Sequence, residues 1–399
     1  MFEQVEEYPV DPIMIGADLF AQDPRSDKLN LTVGVYEDEH GRTPILDAVK
    51  QAELRLAETQ PTKAYTALTG DAEYCATLGE AIFGAERYAA SGVVAAQTAG
   101  GAVALRLMAE LVAQVPGRPT VWLQTPTYGN YIPILNAAHT EWRAVPYYDR
   151  ARAEIEFEAM LDGLTAARPG DLFLFQGVCH NPTGADLSSA QITALLDRLE
   201  SLRVVPWLDL AYLGFAGGWD ADSAVARQVL ERFPECIVTI TLSKSFGIYR
   251  DRAGALFVKT RSADRARMGR ALSAIIRAGS SHAPDHGPSV VRTILQDDLL
   301  KASWLADLER MRRRVADLRQ EIVAVEQRDF HGDALAFLAR QSGMFSLLPL
   351  DEAQESALTR DHGIHVVKGG RVNVARLRGA GIAKLVGAFH AVTGRSERP

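Results

Sequence analysis

Short apolar runs alternate with helical segments between about residue 90 and residue 242, and this rhythm constrains the fold more than any other feature. Each run stops in a polar loop that bears glycine or proline. The alternation predicts an α/β domain with a mostly parallel sheet. Ligands bind at the carboxyl ends of the strands in such sheets, so candidate functional residues are sought there. The runs cover residues 92–97, 120–124, 171–176, 204–209 and 237–242.

Lys244 is the first such candidate, because it follows the last of these runs and two arginines come shortly after it. A lysine at the end of a buried strand, near other cations, has its pKa pulled down until the neutral amine is accessible. A neutral amine can form a Schiff base with a carbonyl. The alternative is an ordinary solvated surface lysine.

Other strand ends also supply polar residues, and each of them has a simple structural alternative. Asn181 begins an Asn-Pro-Thr-Gly turn, Asp209 is also typical of a helix N-cap, and Tyr212 is typical of a core aromatic. The glycine pair Gly100-Gly101 lacks the spacing of a P-loop or a dinucleotide fingerprint. The order and spacing of these residues together are more specific than any one of them.

Composition excludes several classes of function. The chain has 399 residues, which favours two domains, and a net charge of −7, which argues against nucleic acid as a partner. Three widely spaced cysteines without a CxxC pattern indicate a reducing compartment and no structural metal site. No apolar run reaches the roughly 18 residues of a membrane span, and the acidic N-terminus is not typical of a secretory signal. The expected location is the cytoplasm.

Motifs along nearly the whole chain occur in an order that matches a known family. They include Gly34-Val-Tyr, Lys63-Ala-Tyr65, His180-Asn-Pro-Thr-Gly, Asp209-Leu-Ala-Tyr and Gly370-Arg-Val-Asn-Val, together with the segment around Lys244. The chain resembles the fold-type I, pyridoxal-phosphate-dependent class I aminotransferases, and most closely the aspartate and aromatic amino acid aminotransferases.

The resemblance implies a large domain and a smaller α+β domain. Residues 45–311 would form the large domain, with a mostly parallel seven-stranded sheet flanked by helices. Residues 12–44 and 312–399 would form the small domain, and residues 1–11 an N-terminal arm. The resemblance also implies a homodimer with shared active sites.

The resemblance further implies three catalytic residues. Lys244 would hold pyridoxal 5'-phosphate as a Schiff base and then move the proton at the reacting carbon. Asp209 would pair with the pyridine nitrogen and keep it protonated. Tyr212, together with Asn181, would hydrogen-bond the phenolate oxygen of the ring.

The remaining site residues are also carried over from the family. The cofactor phosphate and ring would contact Gly100, Gly101, Ala102, Tyr128, Thr241, Ser243, Arg252 and, from the neighbouring subunit, Tyr65. Arg371 would bind the substrate α-carboxylate, and Arg277 would reach the substrate side chain across the dimer. Other substrate contacts would come from Gly34, Tyr128, Asn181 and His282.

Several positions depart from the family pattern. Tyr128 stands where the closest relatives usually carry a tryptophan over the cofactor ring, and Ala102 lacks a hydroxyl donor that could contribute about 1 kcal/mol to phosphate binding. Tyr131 and Gln176 replace two histidines that usually support the aspartate, and such changes tune its orientation. His282 replaces an asparagine and would lie near the distal end of the substrate bound in the partner subunit; the alternative is a surface loop residue.

Three functions follow from these patterns. The leading hypothesis is an aminotransferase that moves the amino group of an acidic or aromatic L-amino acid to a 2-oxo acid, with 2-oxoglutarate as the expected acceptor, by a ping-pong mechanism. The second is another reaction on the same cofactor, such as β-elimination or decarboxylation. The third is a non-catalytic regulator that binds the cofactor.

Overall fold

The computed structural model describes residues 2–5 and 10–394. In this part of the chain the α-helices are α1 Pro12–Gln22, α2 Asp47–Thr59, α3 Ala72–Phe83, α4 Ala85–Ser91, α5 Gly101–Ala113, α6 Tyr131–Ala137, α7 Phe157–Gly163, α8 Ser189–Leu202, α9 Trp219–Asp222, α10 Ala224–Arg232, α11 Arg265–Gly279, α12 His286–Gln296, α13 Asp298–Phe330, α14 Glu352–His362 and α15 Ala380–Thr393. The strands are β1 Leu29–Asn30, β2 Val94–Thr98, β3 Val121–Thr125, β4 Trp142–Pro146, β5 Tyr148–Asp149, β6 Glu154–Ile155, β7 Leu172–Gln176, β8 Val205–Leu210, β9 Cys236–Thr241, β10 Gly254–Lys259, β11 Phe345–Leu347, β12 Ile364–His365 and β13 Arg371–Asn373.

Seven strands form the main sheet, in the order β2-β10-β9-β8-β7-β3-β4. Only β10 runs antiparallel to its neighbours, β2 and β9. The predicted α/β fold with a mostly parallel seven-stranded sheet is therefore confirmed. The five apolar runs found in the sequence correspond to β2, β3, β7, β8 and β9. The pattern of apolar runs did not predict β4 and β10. The expected number of seven strands came only from the resemblance.

The central strands are buried on both faces, because helices cover each side of the sheet. Successive residues of β7 alternate between two hydrophobic cores. Phe173 and Phe175 pack into one core, and Leu172 and Leu174 pack into the other. This alternation follows the two-residue period of a strand, and it keeps the sheet rigid where the polar residues begin.

A third core lies among α13, α14, α15 and the short strands β12 and β13. The long helix α13 contributes to two cores, with Trp304 and Val315 in the first and Ile322 in the third. With 33 residues, from Asp298 to Phe330, this helix is long enough to reach both cores. The domain boundaries at residues 44/45 and 311/312 stay a prediction.

Two further expectations concern the ends of the chain and membranes. The predicted arm, residues 1–11, lies partly outside the described residues, and a short 3₁₀ helix covers Phe2–Gln4. Asp11 caps α1 by accepting a hydrogen bond from the backbone nitrogen of Ile13. Among the helices of residues 2–5 and 10–394, none is long and apolar enough to cross a bilayer.

Candidate active site

Asp209 lies near the carboxyl end of β8, and both of its carboxylate oxygens accept hydrogen bonds from hydroxyl groups. Tyr131 donates to Oδ2 at 2.7 Å, and Thr239 donates to Oδ1 at 2.7 Å. Burial raises the pKa of Asp209, while these two hydrogen bonds and the charge of Lys244 lower it. The result is a buried carboxylate whose orientation is set from two sides.

Lys244 follows the next strand, β9, and its half-buried side chain lies beside Tyr212. The Nζ atom is 5.0 Å from the centre of the Tyr212 ring. Burial lowers the pKa of the amine to about 8; the negative charge of Asp209 opposes this shift, and Arg252 adds to it. Roughly a tenth of the amine is then neutral at pH 7, against less than a thousandth for an ordinary lysine.

Arg371, at the start of β13, is a buried cation that contacts the side chain of Asn181. Its Nη1 donates to Asn181 Oδ1 at 3.3 Å, and its Nη2 donates to the carbonyl of Thr32 at 2.8 Å. The guanidinium carbon lies 4.4 Å from the centre of the Phe345 ring. Among the described residues it has no carboxylate partner, and its Nε has no hydrogen-bond partner. A buried guanidinium with a free donor is suited to bind a carboxylate.

Asn181 links this arginine to Tyr212. Its Nδ2 donates to the Tyr212 hydroxyl at 3.4 Å, while its Oδ1 accepts from Arg371. Gln176 holds the backbone of Asn181 from both sides, because its Nε2 donates to the Asn181 carbonyl at 2.8 Å and its Oε1 accepts from the Asn181 amide at 2.9 Å. The resemblance places Gln176 where a histidine usually supports the aspartate; here its side chain contacts the backbone of Asn181.

An anion cradle lies at the start of α5, where β2 ends. Gly100 has a φ of +82°, and a Cβ at Gly101 would collide with the Thr241 hydroxyl, so both positions require glycine. Arg252 Nη1 donates to Ser243 Oγ at 3.1 Å, and no carboxylate pairs with Arg252 in the described part of the chain. A helix N-terminus, a free guanidinium and two hydroxyls together provide the donor set of a phosphate site.

Three further predicted site residues are Ala102, Tyr128 and Gly34. Ala102 lies in the first turn of α5 and offers no side-chain donor. The ring of Tyr128 meets the ring of Tyr131 edge-on, with centres 5.4 Å apart and an interplanar angle of 88°. Gly34 leaves space beside Phe345, because a Cβ there would lie 3.3 Å from the tip of that ring.

Three predicted site residues lie elsewhere on the chain. Tyr65 is 86% exposed, and its ring stacks on His282 at 4.7 Å. Arg277 is exposed on α11 and donates to Ser281 Oγ at 2.5 Å. Within residues 2–5 and 10–394, no hydrogen bond, ion pair or ring contact joins these three residues to the cluster around Lys244. These three residues (Tyr65, Arg277 and His282) are named here the Tyr65 patch; Tyr65 and Arg277 are exposed and His282 is half-buried.

Sequence reasoning missed Thr239, Thr32 and Phe345. Thr239 is an ordinary strand residue by pattern, and it matters only because β8 and β9 pair with Asp209 opposite Thr239. A buried hydroxyl in a strand was the one available signal, since buried polar side chains normally have a partner. Thr32 acts through its backbone carbonyl, which carries no sequence signal.

One group of potential metal ligands lies away from the cluster. Glu53, Asp251 and His286 offer ligand atoms that all lie within 4.8 Å of one another. Two of these are partly exposed carboxylates, which commonly approach a histidine without a metal. The expectation of no metal site stays a prediction.

Comparisons with known proteins agree with this geometry. Residues 26–389 match the family described as aminotransferase class I and II. The chain is 41% identical to a tyrosine aminotransferase of Rhizobium meliloti, over 98% of this chain and 99% of that protein. It is 38% identical to an aspartate aminotransferase of Escherichia coli, over 98% of this chain and 100% of that protein. The crystal structure of an aromatic-amino-acid aminotransferase from Burkholderia pseudomallei, covalently bound to pyridoxal phosphate, superposes with a TM-score of 0.94 at 34% identity, covering 98% of this chain and 99% of that one.

Proposed function

Because this chain belongs to the class I and II aminotransferases, we propose that it moves the amino group of an acidic or aromatic L-amino acid to a 2-oxo acid such as 2-oxoglutarate, with pyridoxal 5'-phosphate as cofactor. The observation that carries the proposal is one cluster. The amine of Lys244 lies over Tyr212 and within the influence of the Asp209 charge, and Asn181 joins Tyr212 to the guanidinium of Arg371, which has no carboxylate partner among the described residues.

The residues present fit the cofactor. Its phosphate would be held in the cradle of Gly100, Gly101, Thr241, Ser243 and Arg252, where a Cβ at either glycine would fill the space or meet a side chain. Its ring would be held by the residues around the cluster, which are Asp209, Tyr212, Asn181 and Tyr128. When bound, pyridoxal phosphate supplies an electron sink for the negative charge that develops at the substrate α-carbon.

Lys244 would do two things in this site. Its neutral amine would hold the cofactor covalently, and after an incoming amino group has released it, the same amine would move the proton at the substrate α-carbon. Asp209, as an anion, would keep a positive charge on the cofactor ring. Arg371 would bind the substrate α-carboxylate with its free donor and so orient the α-carbon.

The lowered pKa of Lys244 predicts a pH dependence for cofactor capture. We expect the rate at which cofactor-free protein captures pyridoxal phosphate covalently to rise with pH, with a midpoint at about 8, and to level off above it. The sign follows because only the deprotonated amine reacts, and its folded-state pKa lies below the ordinary 10.5. Borohydride trapping followed by mass spectrometry of the Lys244 peptide measures the rate. A midpoint near 10.5 would contradict the assignment.

The Tyr65 patch supports a homodimer with shared active sites. Within the described residues the exposed Tyr65 ring stacks on His282, Arg277 has no carboxylate partner, and none of the three contacts the cluster around Lys244. A second copy of the chain that covers these residues would account for this arrangement. Tyr65 would then reach the cofactor phosphate of the other subunit. Arg277 and His282 would reach the side chain of the substrate bound there.

Hybrid dimers test this arrangement. We expect that mixing Lys244→Ala and Arg277→Leu chains, each nearly inactive on L-aspartate, restores about a quarter of wild-type activity after subunit exchange. Half of the randomly mixed dimers are hybrids, and each hybrid has one site free of both changes. The measurement is L-aspartate turnover before and after unfolding and refolding the mixture. If both groups act within one chain, no hybrid site is intact and no activity returns.

A half-reaction without acceptor tests the function itself. The purified protein, loaded with pyridoxal phosphate, is mixed with L-aspartate, L-glutamate, L-tyrosine or L-phenylalanine, and the 2-oxo acid is quantified. One equivalent per site from at least one donor is the expected result, since a ping-pong enzyme stops after one transfer. No oxo acid from any donor would contradict the proposal, and sustained release of ammonia or carbon dioxide would favour elimination or decarboxylation.

The proposed location is the cytoplasm. Cys75, Cys179 and Cys236 are all free and buried. Unpaired thiols are typical of a reducing compartment.

A further inference from the structure

The carboxylate of Asp209 is buried, and two hydroxyl groups from different parts of the chain donate hydrogen bonds to it. Tyr131 approaches from the start of α6 and Thr239 from β9, and each hydroxyl occupies one oxygen. Lys244, from the turn after β9, is a cation whose charge lowers the pKa of Asp209. Burial and the charge of Asp209 in turn raise the pKa values of the phenols of Tyr128 and Tyr212.

We propose that Tyr131, assisted by Thr239, is a positioning residue that keeps Asp209 ionised and oriented toward the cofactor ring nitrogen by means of an uncharged donor. The inference rests on the proposed function, because it assigns Asp209 to that nitrogen. Both hydroxyls donate to Asp209, so the role assigned to them is to act through Asp209.

The need for these donors follows from burial. A buried carboxylate shifts toward its neutral form unless donors stabilise the anion. Asp209 is 5% exposed, and burial raises its pKa, against which the Tyr131 and Thr239 hydrogen bonds are the two largest opposing effects. Loss of one hydroxyl would leave a lone pair of the anion unsatisfied. A neutral Asp209 could no longer favour a protonated ring nitrogen.

Because the donor at position 131 is a phenol, it keeps its proton near neutral pH. Burial, the nearby Asp209 charge and the hydrogen bond raise the pKa of Tyr131 well above its ordinary value, so its hydroxyl stays a donor throughout the physiological range. An imidazole in this place would change its own charge near neutral pH. The edge-on contact with Tyr128, at 5.4 Å, fixes the phenol ring in place. The hydrogen bond that Tyr131 donates to Asp209 therefore does not change with pH near neutrality.

The decisive experiment compares two cofactor probes in the full-length protein. We expect Tyr131→Phe to raise the dissociation constant of pyridoxal phosphate about 10- to 100-fold, the range for a lost hydrogen bond to a charged group. The same variant should change the dissociation constant of 1-deazapyridoxal phosphate, which has carbon in place of the ring nitrogen, by less than about twofold. An equal loss with both probes, or no loss with either, would overturn the inference.

Matched variants separate this role from folding. Tyr74 is a fully buried tyrosine whose hydroxyl donates to the Gly254 carbonyl at 3.0 Å, so Tyr74→Phe deletes the same group away from Asp209 and should not distinguish the two probes. If Tyr131→Phe does not fold, Thr239→Val removes the other donor and should show the same selectivity for the probe with a ring nitrogen. Equal behaviour of both probes in Thr239→Val would likewise overturn the inference.

A third variant tests the pH argument. Tyr131→His keeps a donor but adds a group that titrates near pH 6.5. The pyridoxal phosphate dissociation constant of this variant should change across pH 6–7.5 relative to wild type. Identical pH profiles would contradict the claim that the uncharged phenol removes a titration. Failure of the wild-type protein to bind pyridoxal phosphate would instead refute the proposed function.

Discussion

Replacing Lys244 with alanine is expected to lower amino-group transfer about 10⁴-fold or more while the protein still folds. The variant loses the amine that would hold the cofactor and move the α-carbon proton, and positioned acid–base groups alone contribute up to about 10⁴-fold. The fold should survive because Lys244 makes no ion pair with any residue that the structure describes, and its amine lies over the Tyr212 ring. The half-reaction assay measures the loss, and circular dichroism with thermal melting checks the fold.

Two comparisons sharpen this result. Lys384→Ala removes a lysine that pairs with Asp27 at 2.7 Å on the surface of α15, and it should leave turnover unchanged at a cost below about 1 kcal/mol of stability. Added methylamine should partly restore activity to Lys244→Ala, because a free amine can replace the missing proton carrier. Turnover near the wild-type level in Lys244→Ala would refute its catalytic assignment.

The second large effect is expected at Arg371. Arg371→Leu should lower kcat/KM for every amino acid donor by about 30- to several-thousand-fold, because truncating one partner of a buried charge pair costs about 2–5 kcal/mol. The loss should fall on acidic and aromatic donors alike, since all of them carry the same α-carboxylate. Steady-state kinetics with L-aspartate and L-tyrosine provide the measurement.

Two further variants at arginine positions serve as controls for Arg371→Leu. Arg371→Lys keeps the charge but not the fork, so its loss should be intermediate. Arg314 also lies over an aromatic ring, 5.6 Å from that of Tyr36, and donates to backbone carbonyls. Arg314→Leu should therefore lower the melting temperature without a comparable change in KM. A loss at Arg371 confined to L-aspartate would show that this arginine binds the substrate side chain instead.

Much of the cluster was predictable because its members follow strands. Lys244 and Asp209 come at the ends of apolar runs, and parallel strands bring such ends to one edge of the sheet. The glycines at positions 100 and 101 follow the same rule at the start of α5. Gln176 was singled out only by the resemblance, as a position where a histidine usually supports the aspartate, and only the structure shows that its side chain contacts Asn181.

The amino-acid sequence by itself determined the alternation of strands and helices, the lysine at a strand end and the family, because these depend on local patterns of apolar and polar residues. Only the tertiary structure decided which distant groups meet. Tyr131 reaches Asp209 across 78 positions of the chain, and Arg371 reaches Asn181 across 190. Such contacts depend on sheet register and helix packing, which many weak interactions set together. Tyr65 is exposed in the single chain, and the resemblance assigns it to the active site of a neighbouring subunit, a contact that no local pattern within one chain can show.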